Sequence, residues 1–503
     1  MDKYVIGLDN GGTLIKAALF DMKGQEIGVA SRMTKISTPH SGYTQRDMES
    51  VWEANTLCVR EVIEKTGIKP EKIIGIAVAG HGKGLYAWGK DDKPAYPGIV
   101  STDNRAWKYP EKWKKDGTFE KLYPRLCQQI IACQQVSILA WLKDHERAVY
   151  DNIQWVFSMK DYIRFRLTGE AFCEATDISG SGLLNVRDAR FDKDLLEAFG
   201  IGEVYDKLAP IRYSSETCGK ITKEVAQLTG LLEGTPVAGG MFDIDSSAIG
   251  MAITEPEQLC TITGTWTINE FISKTPILGT DIAMNSLYAI PGYYLVEECS
   301  ATSAGNLEWF IQHCMENEKV PEGENIYTHI TDLVESVDPD NCDVYYLPFL
   351  YGTNAHPLAK GSFIGLTSFH SKAHMLRAIF EGVCFSARTH IDKLLSVRER
   401  PEAIRLAGGV ANSKVWVQMF ADVLDLPIET VDSVKELGAL GCAMAASIAG
   451  GVYKDYPEAA KEMVRINPPV YPNPDKAEIY KGKFAKYTAV SKALDTVWDQ
   501  FEV

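Results

Sequence analysis

The sequence predicts an α/β protein built as two lobes, and three observations predict it. The chain has 503 residues, too many for one compact core at roughly 100–200 residues per domain. Strand-like runs are followed by helical patterns in both halves, which is the order of an α/β fold. Each half also opens in the same way, with a short apolar run, a glycine-bearing tip and a second apolar run, so the chain starts one hairpin twice.

The first hairpin is Tyr4-Val5-Ile6-Gly7-Leu8, the polar tip Asp9-Asn10-Gly11-Gly12-Thr13, and the stretch from Leu14 to Phe20. Val51, Ala54, Cys58 and Val62 then recur at helical spacings, Gly67 stops the pattern, and Ile73-Ile74-Gly75-Ile76-Ala77-Val78 follows as a strand. Gly230, Gly234, Gly239 and Gly240 crowd the approach to a lobe boundary near residue 250, giving lobes 1–248 and 249–503. The second hairpin is Leu259-Cys260-Thr261-Ile262-Thr263, Gly264-Thr265 and Trp266-Thr267-Ile268. Leu376, Ile379, Val383, Ala387 and Ile391 keep one apolar helix face, and Ala403-Ile404-Arg405-Leu406-Ala407 forms a strand that ends at Gly408-Gly409.

The formal net charge of −15 argues against nucleic acid or an anionic membrane as partner, since both need a positive field. It does not exclude ATP, which needs only local N–H donors and a magnesium ion. Eleven cysteines with no Cys-x-x-Cys pair fit neither a disulfide framework nor a zinc knuckle, and read as reduced, mostly buried thiols. Met1-Asp2-Lys3-Tyr4 runs into the first strand without the features of a signal peptide. The longest low-charge run, Ala439 to Val452, is well short of the ~20 apolar residues of a spanning helix. The expectation is a cytoplasmic protein with no membrane segment.

Asp9-Asn10-Gly11-Gly12-Thr13 carries the strongest local chemical signal. Glycine has no Cβ, so Gly11 and Gly12 let backbone N–H groups approach an anion closely. Thr13 adds a hydroxyl and Lys16 a positive charge for phosphate, while Asp9 suits a metal-bound water or a substrate hydroxyl. An ordinary type I′ turn on Asn-Gly would leave the same trace. Gly264-Thr265 repeats the device, and two such tips could clamp a triphosphate. Gly408-Gly409 precedes Asn412-Ser413 and a helical pattern through Val417, Phe420 and Val423. A helix N-terminus there favours a nucleotide, with Asn412 or Ser413 near ribose or base.

Asp243 and Asp245 follow the glycine-rich approach. A carboxylate there can act as general base on a hydroxyl, and either could instead cap a following helix. His81 and Lys83, in Gly80-His81-Gly82-Lys83-Gly84, and Asp103, in Ser101-Thr102-Asp103-Asn104-Arg105, follow strand-like segments as sugar-binding groups do. Solvated loop residues would look the same. The sequence has no Gly-x-x-x-x-Gly-Lys-Ser/Thr loop, no His-Glu-x-x-His helix and no Gly-x-Ser-x-Gly elbow, so P-loop ATPases, zinc hydrolases and serine hydrolases fall away.

Longer motifs bring a family resemblance. Gly361-Ser362-Phe363-Ile364-Gly365-Leu366, then seven residues, then His374-Met375-Leu376-Arg377-Ala378-Ile379-Phe380-Glu381 fits the C-terminal signature of the FGGY carbohydrate kinases at every position. Leu139-Ala140-Trp141-Leu142-Lys143-Asp144-His145 matches the end of their N-terminal signature, although Ile138 stands where the family usually has lysine. The chain resembles this family, which includes glycerol, xylulose and gluconate kinases, over nearly its whole length.

The resemblance implies two ribonuclease H-like lobes of the actin and hexokinase type, with an interlobe cleft, a sugar-binding N-terminal lobe and a nucleotide-binding C-terminal lobe. It implies Asp9 to Thr13 and Gly264-Thr265 as phosphate motifs, with Lys16 and Gly305 as further phosphate-side groups. Gly408-Gly409 with Asn412-Ser413 match the adenosine motif, and Asp243 rather than Asp245 falls at the catalytic base. Asp9, His81, Lys83 and Asp103 are the expected sugar contacts, and Asp9 also the metal ligand. Gly82-Lys83-Gly84-Leu85, Asn306-Leu307-Glu308-Trp309-Phe310 and Leu347-Pro348-Phe349-Leu350-Tyr351-Gly352 resemble the L-xylulose kinases of the family. Lys83 stands where D-xylulose kinases usually carry histidine, which points to L-xylulose or a related ketose.

The expected cofactors are ATP and Mg2+. The expected partners are a small sugar and ATP, with no nucleic acid and no membrane, and with a homodimer as an allowed assembly. The alternatives are another substrate of the family, namely D-xylulose, glycerol, erythritol or gluconate, and a non-catalytic ATP-binding protein of the actin or chaperone type. Asp243 and the complete signature speak against the latter.

Overall fold

A computed structural model describes residues 2–12, 14–264, 266–279, 282–353, 356, 358–432 and 435–501. The elements that position the site are, through the first half, β1 (Tyr4–Asn10), β2 (Leu14–Asp21), β3 (Glu26–Met33), α1 (Met48–Thr66), β4 (Ile73–Gly80), α2 (Met159–Thr168), α3 (Ala175–Ser179), β5 (Thr217–Lys220), β6 (Pro236–Ala238), β7 (Met241–Phe242) and α4 (Asp243–Gly250). They continue with β8 (Leu259–Thr263), β9 (Thr267–Ser273), β10 (Tyr294–Ser300), α5 (Gly305–Cys314), α6 (Lys372–Leu395), β11 (Ile404–Gly408), α7 (Lys414–Leu424), β12 (Ile428–Thr430) and α8 (Leu437–Ala449).

The chain forms two compact units from interleaved segments. Unit 1 comprises Met1–Thr254, Ile272–Val296 and Ser433–Arg465, and unit 2 comprises Glu255–Phe271, Glu297–Asp432 and Ile466–Val503. In unit 1 the strands run β5-β6-β4-β1-β2-β3, with β7 also on β4. β1 is antiparallel to β2, placing Asp9 opposite Lys16, and parallel to β4. In unit 2 the order is β10-β9-β8-β11-β12, with β8 antiparallel to β9 and parallel to β11. Each unit thus lays the first strand of its hairpin against a later parallel strand, and the hairpin expected twice occurs twice.

Helices form where the sequence supplies both an apolar face and an end signal. Asp47 caps α1 by accepting from the N–H groups of Glu49 and Ser50, and Gly67 closes it at a left-handed φ of 63°. Val51, Cys58 and Val62 on its inner face are at most 1% exposed, each worth about 1.5–3 kcal/mol for the larger aliphatics. α6 likewise buries Leu376, Ile379, Val383, Ala387 and Ile391.

The low-charge run from Ala439 is α8, a core helix of unit 1. Its small residues allow close packing, since a Cβ on Gly7 of β1 would lie 1.9 Å from the Ala439 carbonyl oxygen and one on Gly441 would lie 2.0 Å from that of Ser246. Among the described residues no helix is long and apolar enough to cross a membrane.

Candidate active site

In unit 1, the ends of β1 and β4 and the start of α4 bring the acidic residues together. Asp243 is the first residue of α4 and follows β7, whose Phe242 pairs with Gly80 at the end of β4. Asp243 is a half-buried residue, whereas Asp245, two residues on, is 0% exposed. Of the two, only Asp243 can touch a substrate. Its carboxyl is pushed well above the ordinary range, first by loss of water, then by the charges of Asp9 and Asp177, with Lys83 opposing them. Asp9 is pushed up to about 6 by desolvation, which Lys16 counters and Glu436 reinforces.

Three contacts shape the tip that follows Asp9. Arg46, 1% exposed, donates to the carbonyl oxygens of Gly11 at 2.8 Å and of Gly12. Lys16 Nζ lies 2.6 Å from Glu436 Oε2, in the turn that leads into α8, and a Cβ on Gly438 would lie 2.9 Å from Asp9 Oδ2. Around the Gly12 Cα, a Cβ would meet no atom within 4 Å, so this face of the tip is open. Thr13 lies outside the described residues.

The candidate sugar contacts differ from one another. His81 is 5% exposed, and its Nδ1 lies 3.2 Å from the Gly82 carbonyl oxygen while Nε2 lies 3.1 Å from the Tyr86 hydroxyl. A carbonyl only accepts, so Nδ1 carries the proton and Nε2 accepts from Tyr86. Burial, with the Arg46 charge adding to it, lowers the imidazole to about 4 and keeps it neutral. Lys83 sits at a left-handed φ of 63°, with Nζ 5.9 Å from the Phe242 ring centre.

Asp103 turns inward. One carboxylate oxygen accepts from Arg105 N and Nε at 3.0 and 2.9 Å. The other accepts from Thr44 N at 2.6 Å and Arg105 Nη2 at 2.8 Å. It therefore holds the loop to Thr44 with all its acceptor positions in use.

In unit 2, the candidate nucleotide residues gather at one end of the sheet. Thr263 pairs with Gly408, and the Thr263 hydroxyl donates to the Ala407 carbonyl at 2.6 Å. Gly408 has a left-handed φ of 92°, and a Cβ there would lie 2.2 Å from the Thr263 carbonyl oxygen, so the position requires glycine. A Cβ on Gly409 would touch Ala304 at 3.8 Å, directly before Gly305, which starts α5. Gly264 donates to the Trp266 carbonyl at 2.9 Å. Asn412 is exposed, and Ser413 caps α7 by accepting from Trp416 N. Thr265 lies outside the described residues.

Three groups leave no trace in the sequence. Arg46 sits in the polar run Thr44-Gln45-Arg46-Asp47, which reads as a solvated helix cap. Glu436 lies 420 positions from Lys16, so only the fold pairs them. A third group, Lys160, Asp161, Arg164, Glu174 and Asp177, is at most 2% exposed, yet its charges are spaced as on a surface helix.

The patterns of two family domains match this chain. The N-terminal domain of the FGGY family of carbohydrate kinases covers residues 4–250 and the C-terminal domain covers residues 259–450. The chain belongs to the FGGY family of carbohydrate kinases. As a carbohydrate kinase of this family it belongs with enzymes that use ATP as phosphate donor. It is 37% identical to the L-xylulose/3-keto-L-gulonate kinase of Escherichia coli strain K12 over 98% of both chains. It is 34% identical to the probable L-xylulose kinase of Pasteurella multocida, over 98% of this chain and 99% of that one. Among solved structures, ligand-bound xylulose kinase from Lactobacillus acidophilus superposes with a TM-score of 0.90 at 25% identity, covering 99% of this chain and 100% of the other. The fold is the two-lobe, ribonuclease H-like architecture of the actin and hexokinase type.

Proposed function

We propose that the protein transfers the γ-phosphoryl group of ATP to a hydroxyl of a small keto sugar, L-xylulose or a close relative, with Asp243 as general base. The observation that carries this reading is the position of Asp243, a half-buried residue at the start of α4 whose carboxyl is raised by desolvation and by Asp9. A base that takes an alcohol proton works best when its pKa approaches the working pH, and a raised carboxyl meets that need.

The division of labour follows the two units. The first offers Asp9, His81 and Lys83 to the sugar, with Asp103 fixing its own loop to Thr44 and Arg105. The second offers Gly264, Gly305, Gly408, Gly409, Asn412 and Ser413 to the nucleotide. Gly11, Gly12, Thr13 and Lys16 are the phosphate-side groups of the first tip, and Thr265 that of the second. Phosphoryl transfer asks the protein for alignment and charge neutralisation rather than covalent chemistry. A well-placed base supplies ~10²–10⁴-fold of the rate, about 3–5 kcal/mol.

Mg2+ suits this oxygen donor set. Asp9 is a carboxylate beside a second carboxylate, Asp243, and their mutual repulsion is relieved by a hard cation. A Mg2+ held by one or two carboxylates and substrate phosphates needs no dedicated cage, and the described residues form no cluster of three His, Cys, Asp or Glu ligands. When bound, the ion neutralises charge on the phosphates. Asp9 would hold it.

The sugar is argued from Lys83 and from relatives named as L-xylulose kinases. The test is a substrate panel with ATP and Mg2+, reading ADP release for pentuloses of both hands, 3-keto-L-gulonate, polyols and sugar acids. The expected kcat/KM is highest for L-xylulose or a close keto-sugar relative. A clear preference for D-xylulose or glycerol overturns the substrate.

A further inference from the structure

Behind Asp243 lies a buried hydrogen-bonded group that the reaction as described does not use. We infer that Thr176, held by Glu174 and Lys160, is a positioning residue that aims Asp243. The inference rests on Asp243 being the base.

Glu174 precedes the short helix α3 and accepts from the N–H groups of Thr176 at 3.0 Å and Asp177 at 3.4 Å. The Thr176 hydroxyl donates to Glu174 Oε2 at 2.7 Å. A hydroxyl has one proton to give, so toward Phe242 N, 2.9 Å away, the same oxygen accepts. Phe242 is the residue before Asp243, and this bond fixes the backbone from which the base side chain springs.

A second clamp acts three residues upstream of Phe242. Arg164 Nη1 donates to the Gly239 carbonyl at 2.8 Å and to Asp161 Oδ1 at 2.7 Å. Lys160 Nζ joins the two clamps, 2.8 Å from Asp161 Oδ1 and 3.2 Å from Glu174 Oε2. Phe242 also carries the sugar loop, since a Cβ on Gly82 would lie 2.3 Å from its ring.

Stability alone is a poor account of this group, because buried ion pairs give little or no net stabilisation over apolar residues of similar volume. What such a group can supply is a fixed orientation. A base displaced by a fraction of an ångström loses much of its effect.

The test compares Thr176→Val, which removes the hydroxyl at nearly constant volume, with Thr176→Ser, which keeps it. Thr176→Val is expected to lower kcat about 10–100-fold with KM for ATP within about twofold. Thr176→Ser is expected to stay within about threefold of wild type. Thr176→Ala reads the same loss if valine overpacks the site, and a thermal melt of each variant confirms the fold. Lys160→Met is unsuited, because it strands buried carboxylates.

The decisive readout is the double variant. In an Asp243→Asn background, Thr176→Val should lower the residual rate by less than about twofold, because the group it aims is already disabled. A merely structural hydroxyl would lower both backgrounds equally. Wild-type kcat in Thr176→Val, serine as slow as valine, or equal losses in the two backgrounds overturns the inference. If Asp243→Asn itself keeps its turnover, the base assignment falls. If Asp243→Asn is inactive while Thr176→Val is fully active, only the positioning role falls.

Discussion

The two units open with the same hairpin and surround it differently. In unit 1 the tip after Asp9 is tied by charged side chains, with Arg46 on the Gly11 and Gly12 carbonyls and Lys16 on Glu436 at 2.6 Å. In unit 2 the matching tip is tied by backbone and hydroxyl groups, with the Thr263 hydroxyl on Ala407 and Gly408 pressed against the Thr263 carbonyl. A polyanion can be held by backbone N–H groups alone. Moving a proton needs titratable groups, and those crowd the first tip, where desolvation and the charge of Asp9 raise the affinity of Asp243 for its proton. One strand pattern therefore serves two chemistries.

The sharpest way to break this comparison is to add a side chain at each glycine. Gly408→Val combines a left-handed φ of 92° with a Cβ 2.2 Å from backbone oxygen, and should destabilise the protein by about 3 kcal/mol or more in urea unfolding. Gly12→Val meets no atom within 4 Å, and Gly264→Val only the Trp266 carbonyl at 3.9 Å. Both should keep stability within about 0.5 kcal/mol of wild type while ATP affinity falls about tenfold or more. Normal ATP affinity in both would remove the tips from the nucleotide site.

A smaller effect is expected at Lys83, the cation that opposes Asp9 and Asp177 at Asp243. Lys83→Ala should raise KM for the sugar by one or two orders of magnitude, about 1.4–2.8 kcal/mol, and leave KM for ATP unmoved. Unchanged sugar kinetics would leave recognition to the other groups of unit 1.

The smallest predicted effect is on stability and depends on pH. The Asp243 carboxyl binds its proton more tightly folded than unfolded, so its contribution to stability is present at low pH and is lost as pH rises through the folded pKa. Asp243→Asn lacks this loss. It should melt at a higher temperature than wild type at pH 8, and the gap should shrink as pH falls toward 5. A constant gap would mean that Asp243 is not raised.

Local pattern made much of the fold legible. Leu14 to Phe20 is an apolar run that marks β2, which ends one residue later at Asp21. The helix through Val51 and Val62 ends at Gly67 as the glycine demands. What pattern cannot show is pairing across the chain. α8 reads as a low-charge, Ala- and Gly-rich segment, and only the fold explains that composition, because Gly7 and Gly441 meet backbone oxygens there.

The candidate site divides the same way. Glycine tips and the pair Asp243 and Asp245 stand out as local motifs, and the family resemblance chooses Asp243. Arg46, Glu436 and the Lys160 group do not, because a buried charge in a folded core has the same spelling as a solvated one. Asp103 is the converse, a loop carboxylate in sequence whose acceptors are all engaged by Arg105 and Thr44 in the fold.

The most direct measurement pairs binding with turnover in one preparation of Asp243→Asn. The amide is nearly isosteric with the carboxylate but cannot accept the proton. ATP affinity by titration calorimetry should stay within about twofold of wild type, while kcat for sugar phosphorylation falls about 100-fold or more. A variant that binds ATP normally and keeps most of its turnover would contradict the assignment of Asp243 as the base.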